Sequence, residues 1–145
     1  MATERFKTIA EVHLVLQRDE KFLLLHRFQT GYMDGYYSLV AGHVDGGETF
    51  KQAMAREALE EAGISIEIKD LELVHTMHRL DGEERIALFF KADKWAGEVS
   101  NMEPQKCDDL DWYTIQAKSP FMIPYILSAL TKIGEGKTYS EFGWA

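Results

Sequence analysis

The chain has 145 residues, 46% of them apolar, 12% aromatic and 28% charged, the size and mix of one domain (1–145) able to bury about 68–70% of its unfolded surface without disulfides or a structural metal. Its 24 acidic and 16 basic residues leave a formal charge of −8, which supplies no basic footprint for a nucleic-acid polymer and leaves a small phosphorylated ligand as the expected partner, provided a cation offsets the repulsion. The single cysteine, Cys107, permits no intrachain bridge, Glu4, Arg5, Lys7, Glu11 and His13 break any secretory leader, and no apolar run nears the roughly 20 residues of a membrane helix, so a cytoplasmic protein without a membrane partner is expected.

Residues 9–17 alternate, with Ala10, Val12, Leu14 and Leu16 on one face, and the polar run 18–21 leads into Phe22-Leu23-Leu24-Leu25, which predicts a β-hairpin. Residues 29–47, rich in glycine and aromatics, read as loop around a short strand at 37–40. A helix is predicted over 50–62: Thr49 and Gln52 form a capping box, Ala53, Ala55, Ala58 and Leu59 favour helix, and Gly63 suits its left-handed end. Residues 64–80 alternate as one or two strands, 81–84 turn, and 85–94 return, a second hairpin. A short strand at 109–114 precedes a helix at 121–133 with Ile123, Ile126, Leu127, Leu130 and Ile133 at helical spacing. The aromatic stretch 139–144 is expected to pack back on the domain or on a second copy, which makes a homodimer a candidate assembly. This order predicts a mixed sheet with helices packed on it, an α+β or α/β sandwich.

Within the first helix Glu57, Glu60 and Glu61 stand at i, i+3 and i+4, so three carboxylates share about 100° of one solvent-facing side. Like charges at that spacing repel unless a cation sits between them, although a solvated helix face looks the same. The approach to the helix is what distinguishes the two. Gly42, Glu48, Arg56, Glu57, Glu60, Glu61, Gly63 and Ile64 satisfy the pattern G-x5-E-x7-R-E-U-x-E-E-x-G-U, where U is a bulky aliphatic residue. Seven fixed residue types would coincide on the order of once in a million such chains. The pattern resembles the Nudix hydrolase family, with Ala58 smaller than usual at the first U.

The resemblance implies an α/β/α sandwich around a mixed sheet, and divalent-metal hydrolysis of the diphosphate bond in a nucleoside diphosphate linked to another group. The metal is usually Mg²⁺, with Mn²⁺ as an alternative, and hard oxygen ligands suit either. Carried onto this chain, it implies Glu57, Glu60 and Glu61 as metal ligands, with Glu60 or Glu61 beside the attacking water. It further implies that Arg56 orients carboxylates, that Glu48 pairs with Arg56, and that the loop residue Gly42 offers its carbonyl to the metal, while Gly46 and Gly47 permit the tight turn. Glu103, near Pro104, is a candidate base from outside the pattern. Arg27, at a strand end, is a candidate phosphate contact and His43 a candidate substrate contact. Of Tyr32, Tyr36, Tyr37, Trp112, Tyr113 and Phe121, two are expected to touch the ligand, Tyr36 among the candidates. His75 and His78, three apart on a strand, point to opposite faces and cannot share an ion, and Cys107 reads as an ordinary thiol.

Some subfamilies carry a proline about 15 residues beyond the pattern, or a tyrosine at 16 to 18; here Arg79, Leu80, Asp81 and Gly82 stand there. The expected function is therefore that of the MutT-like enzymes, hydrolysis of a nucleoside triphosphate to monophosphate and pyrophosphate. The alternatives are hydrolysis of a nucleotide sugar or other diphosphate conjugate, and nucleotide binding without turnover.

Overall fold

The computed structural model describes residues 3–145. In chain order the elements are β1 (Ile9–Val15), β2 (Gln17–Arg18), β3 (Lys21–Arg27), β4 (Tyr37–Ser38), β5 (Val40–His43), α1 (Phe50–Ala62), β6 (Glu72–Asp81), β7 (Glu83–Lys91), β8 (Cys107–Thr114), α2 (Ile115–Lys118), α3 (Pro124–Gly134) and β9 (Tyr139–Phe142). One sheet runs β5-β1-β7-β6-β9, with β1 parallel to β7 and β9 parallel to β6. In a second sheet β3 lies between β8 on one side and β2 and β4 on the other.

The first expected hairpin survives only as its tip. Gln17 and Arg18 pair with Phe22 and Lys21, while the length of β1 pairs with β5 and β7 in the other sheet. The reason is burial on both faces. Val12 and Leu14 pack against Ala53, Met54, Ala58 and Ala62 of α1. Val15 packs on the opposite side with Met77, Phe89 and the α3 residues Ile126, Ala129 and Leu130. A strand buried on both sides belongs in the middle of a covered sheet, where a simple hairpin partner would leave one face wet. The sheet is thus sandwiched between α1 and α3, and the small Ala58 lets α1 lie close upon it.

Helix α1 has its predicted limits. Thr49 Oγ1 accepts from the Gln52 amide at 3.1 Å, Gln52 Oε1 accepts from the Thr49 amide at 2.8 Å, and Gly63 closes the helix at φ 68°. Helix α3 begins at Pro124, later than expected, because proline lacks the N–H that a longer helix would need there; Ser119–Phe121 forms a 3₁₀ turn instead. The second hairpin is β6 and β7, paired from Glu72↔Lys91 to Asp81↔Glu83. Residues 64–71 supply only a bridge, Ser65↔Ala96, and a turn at Ile68–Asp70. The aromatic tail lies on this chain's own sheet: β9 runs beside β6, where Ser140 Oγ donates to His75 Nε2 at 2.7 Å and His75 Nδ1 donates to the Lys137 carbonyl at 2.8 Å. His78 meets Glu84 at 3.0 Å, so the two histidines do keep separate partners. Among the described residues no helix is long and apolar enough to cross a membrane.

His13, on β1, is 1% exposed. Its Nδ1 lies 3.3 Å from the Leu88 carbonyl and its Nε2 2.8 Å from the Tyr125 hydroxyl. A carbonyl only accepts, so Nδ1 carries the proton and Tyr125 donates to Nε2. Burial, reinforced by Arg79 and opposed by Glu11, pushes the imidazole pKa down to about 4. The folded value is below the unfolded one, so this contribution to stability is complete above about pH 6.5 and is lost as pH falls toward 4. The loss is on the order of 3 kcal/mol. Urea midpoints between pH 7 and 4 should fall less steeply for His13→Asn than for the wild type; parallel curves would refute the assignment.

Candidate active site

Strand β5 delivers its last residues, Gly42 and His43, to the start of the loop that feeds α1. Gly47 takes φ +87° in that loop, whereas Gly46 shows no positive φ, so the turn needs glycine at one of the two positions only. Glu48 accepts from the Asp45 amide at 2.8 Å, then receives both arms of Arg56: Nε at 3.0 Å and Nη2 at 2.8 Å. This fork holds the Glu48 carboxyl below the usual carboxylate range. Arg56 also donates from Nη1 to Glu57 at 2.8 Å and Glu60 at 3.3 Å, and from Nη2 to the His43 carbonyl at 3.2 Å. One guanidinium therefore ties the loop, the strand end and the helix together.

The three helix carboxylates do not share a solvent-facing side as the spacing alone suggests. Glu60 is 53% exposed, but the Glu57 side chain is only 12% exposed. Gly42 is the cause: it belongs to β5, not to a loop, and a Cβ there would lie 2.2 Å from Glu57 Cδ. The glycine is required by close approach of the carboxylate to the strand. Glu61 lies next to Glu57, Glu103 and the Ala41 amide; burial first, then those two carboxylates, raise its carboxyl well above the ordinary range. Among the described residues no three acidic, histidine or cysteine side chains already surround one point as metal ligands. The donor set nevertheless fits a hard divalent cation. It is all carboxylate and carbonyl oxygen, the Glu57 carboxylate fills the space a side chain at 42 would take, and the Glu61, Glu57 and Glu103 carboxylates repel one another without a cation.

Two clefts flank this cluster, with Arg27 and Ala41 lining both. The first, of about 330 Å³, brings Glu61 and Glu103 together with Arg27 and Lys106. The second, of about 400 Å³, is lined by His43, Glu11, Arg79, Arg85, Tyr32 and Tyr125, among others. Arg27 is braced by the Tyr32 carbonyl at 2.7 Å and Thr30 Oγ1 at 3.0 Å. Glu103 and His43 reach a cleft; Tyr36 reaches neither, and among the six aromatic candidates Tyr32 alone lines one. Tyr37 and Tyr113 instead donate to Asp109, and Phe121 points to solvent. Cys107 sits in the wall of the first cleft, where burial raises its thiol pKa. Glu11, Arg79, Arg85, Lys106 and Tyr125 also line the clefts, and none of them belongs to a sequence motif. A weak signal existed at Glu11, a charged residue inside an otherwise apolar strand, but its arginine partners come from a hairpin some seventy residues away.

The NUDIX domain profile matches residues 7–124. The NAD-capped RNA hydrolase NudC of Shigella dysenteriae is 32% identical over 100 residues, 69% of this chain and 37% of that protein. The chain thus spans well under half the length of the curated relatives it matches. A MutT NUDIX hydrolase from Burkholderia pseudomallei superposes with a TM-score of 0.69 at 27% identity, covering 77% of this chain and 86% of the other. A NUDIX hydrolase from Nitrosomonas europaea gives 0.72 at 25% identity, covering 92% and 93%.

Proposed function

Because the chain belongs to the Nudix hydrolase family, we propose that it hydrolyses the diphosphate bond of a nucleoside diphosphate linked to another group, with a nucleoside triphosphate as the MutT-like substrate. The observation that carries this reading is the first cleft, where the carboxylates of Glu61 and Glu103 share one space with the cations of Arg27 and Lys106. Such a cleft offers phosphate oxygens two positive partners beside groups able to take a proton. Glu57, Glu60, Glu61 and the Gly42 carbonyl would hold the divalent cation, Mg²⁺ or Mn²⁺. When bound, that ion offsets phosphate charge and acidifies water.

The chain's own residues divide the rest. Arg56 and Glu48 act as positioning residues, since their fork fixes the start of α1 and aims Glu57 and Glu60. Arg27, stiffened by Tyr32 and Thr30, pairs with a phosphate oxygen at the junction of the clefts. Glu61 or Glu103 accepts the proton of the attacking water, and burial together with the neighbouring carboxylates raises the proton affinity of Glu61. His43, at the rim of the second cleft, meets the part of the substrate beyond the phosphates.

A screen of nucleoside triphosphates, nucleotide sugars and dinucleotides with Mg²⁺, reading phosphate and pyrophosphate release, tests the proposal. At least one nucleotide should be turned over, and excess chelator should abolish the turnover. Undiminished hydrolysis in chelator, or tight nucleotide binding with no turnover at all, would overturn it. The NudC relatives act on a capped RNA, so a capped oligonucleotide belongs in the screen. A charge of −8 disfavours a polymer lying along the surface but not a single end entering the cleft.

A further inference from the structure

The second cleft has one wall whose hydrogen-bonding groups are fixed by residues that the phosphate site does not use. Arg79, from β6, is 4% exposed. Its Nε and Nη2 donate to Glu11 at distances between 3.1 and 3.3 Å, and Arg85 Nη1 donates to the same carboxylate at 2.9 Å. These bonds occupy the acceptor positions of both Glu11 oxygens, so Glu11 has none left for a ligand. Arg79 Nη1 is different. It makes no hydrogen bond among the described residues, since Asp81 Oδ2, its ion-pair partner, stands 3.6 Å away.

Tyr125, from α3, lies against that guanidinium, with Arg79 Cζ 3.9 Å from the ring centre. Its hydroxyl proton is committed to His13 Nε2 at 2.8 Å, because His13 Nδ1 gives its own proton to the Leu88 carbonyl. The Tyr125 oxygen is therefore left as an acceptor. A donor that makes no hydrogen bond, with Asp81 only as an ion-pair neighbour, thus belongs to a guanidinium stacked on the ring whose hydroxyl oxygen is held as an acceptor from behind, and both residues line the cleft from a strand and a helix.

We propose that the second cleft takes the base of a nucleotide and selects a lactam edge, the adjacent C=O and ring N–H of hypoxanthine, guanine or uracil, with Arg79 Nη1 donating to the carbonyl and Tyr125 Oη accepting from the N–H. The proposal rests on the reading that the adjoining carboxylate site acts on a nucleotide; Arg27 and Ala41, common to both clefts, set base and phosphates side by side. Adenine and cytosine carry the reverse pattern, an amino donor in place of the C=O and a bare nitrogen in place of the N–H. In this cleft they would set donor against donor and acceptor against acceptor, leaving buried polar groups unpaired.

The test is calorimetric titration of the protein in Mg²⁺ with monophosphates, which carry no diphosphate bond to cleave, inosine against adenosine and uridine against cytidine, each pair differing at this edge alone. No turnover is needed. In whichever pair binds more tightly, the lactam member should be favoured by about tenfold or more. Tyr125→Phe and Arg79→Lys should each reduce that ratio to within about threefold, a change in selectivity that mere loosening of the fold would not produce. Equal affinities in the wild type, preference for the amino bases through Asp81, or no binding of any monophosphate would overturn the proposal, whether or not the variants fold. Lactam preference without Mg²⁺-dependent turnover would instead overturn the hydrolase reading alone, and turnover indifferent to the base would overturn this one alone.

Discussion

Glu61→Gln is expected to lower kcat by roughly a hundredfold or more, and Glu57→Gln by a similar factor, with the fold intact in both. The amide keeps the volume and removes the negative charge. At Glu57 the loss is of charge held against β5 by Arg56. At Glu61 it is of a proton acceptor that burial and two neighbouring carboxylates have already raised. The stability effect has a definite sign. A carboxyl whose folded pKa is raised favours the folded state only while protonated, below its unfolded value, and that contribution is lost as pH rises through the folded value. Ionising Glu61 beside Glu57 and Glu103 therefore opposes folding, so in chelator the melting advantage of Glu61→Gln over the wild type should grow as pH rises. Steady-state kinetics with saturating Mg²⁺ and a melt in chelator check the two halves. Near wild-type turnover in either variant would remove that residue from the site.

Gly42→Ala is the second substitution expected to have a large effect. The backbone at 42 is not left-handed, so the change meets no torsional barrier; what it meets is Glu57, with Oε1 and Cδ both 2.2 Å from the new methyl group and Oε2 at 2.7 Å. The carboxylate is the far end of a flexible side chain and can swing away. The fold should survive at a cost of about 1–3 kcal/mol, the range for an extra methyl in a packed place. Activity should fall roughly a hundredfold, since displacing a positioned group by about an ångström is enough for that. Gly46→Ala is the control, because a Cβ at 46 meets nothing within 4 Å. Equal kcat for the two alanine variants would show that Glu57 need not lie against the strand.

Much of the site was legible because it is local. A capping box, a left-handed glycine and an i, i+3, i+4 series are all set by neighbours within about two helical turns, so residues 48–63 carry the signals for their own helix and set Arg56 beside Glu48, Glu57 and Glu60. Of the family pattern, Glu48 to Ile64 lies within or next to that reach, whereas Gly42 meets Glu57 from β5. Strand partners are a different matter. The alternation in β1 marked one buried face correctly but could not show that His13 and Val15 are buried as well, since period two says nothing of what covers the second side. Only the parallel pairing of β1 with β7 decided that, and it broke the expected hairpin with β3. The same pairing carries Arg85 to Glu11, while β6, antiparallel to β7, brings Arg79. By itself the sequence determined the first helix and the cluster of charges around it, because their interactions are short-range along the chain. Which cleft those charges face, and the donors and acceptors on its far wall, were decided by tertiary packing, because a contact between residues 68 or more apart depends on burying both faces of one sheet and leaves no period in the sequence between them.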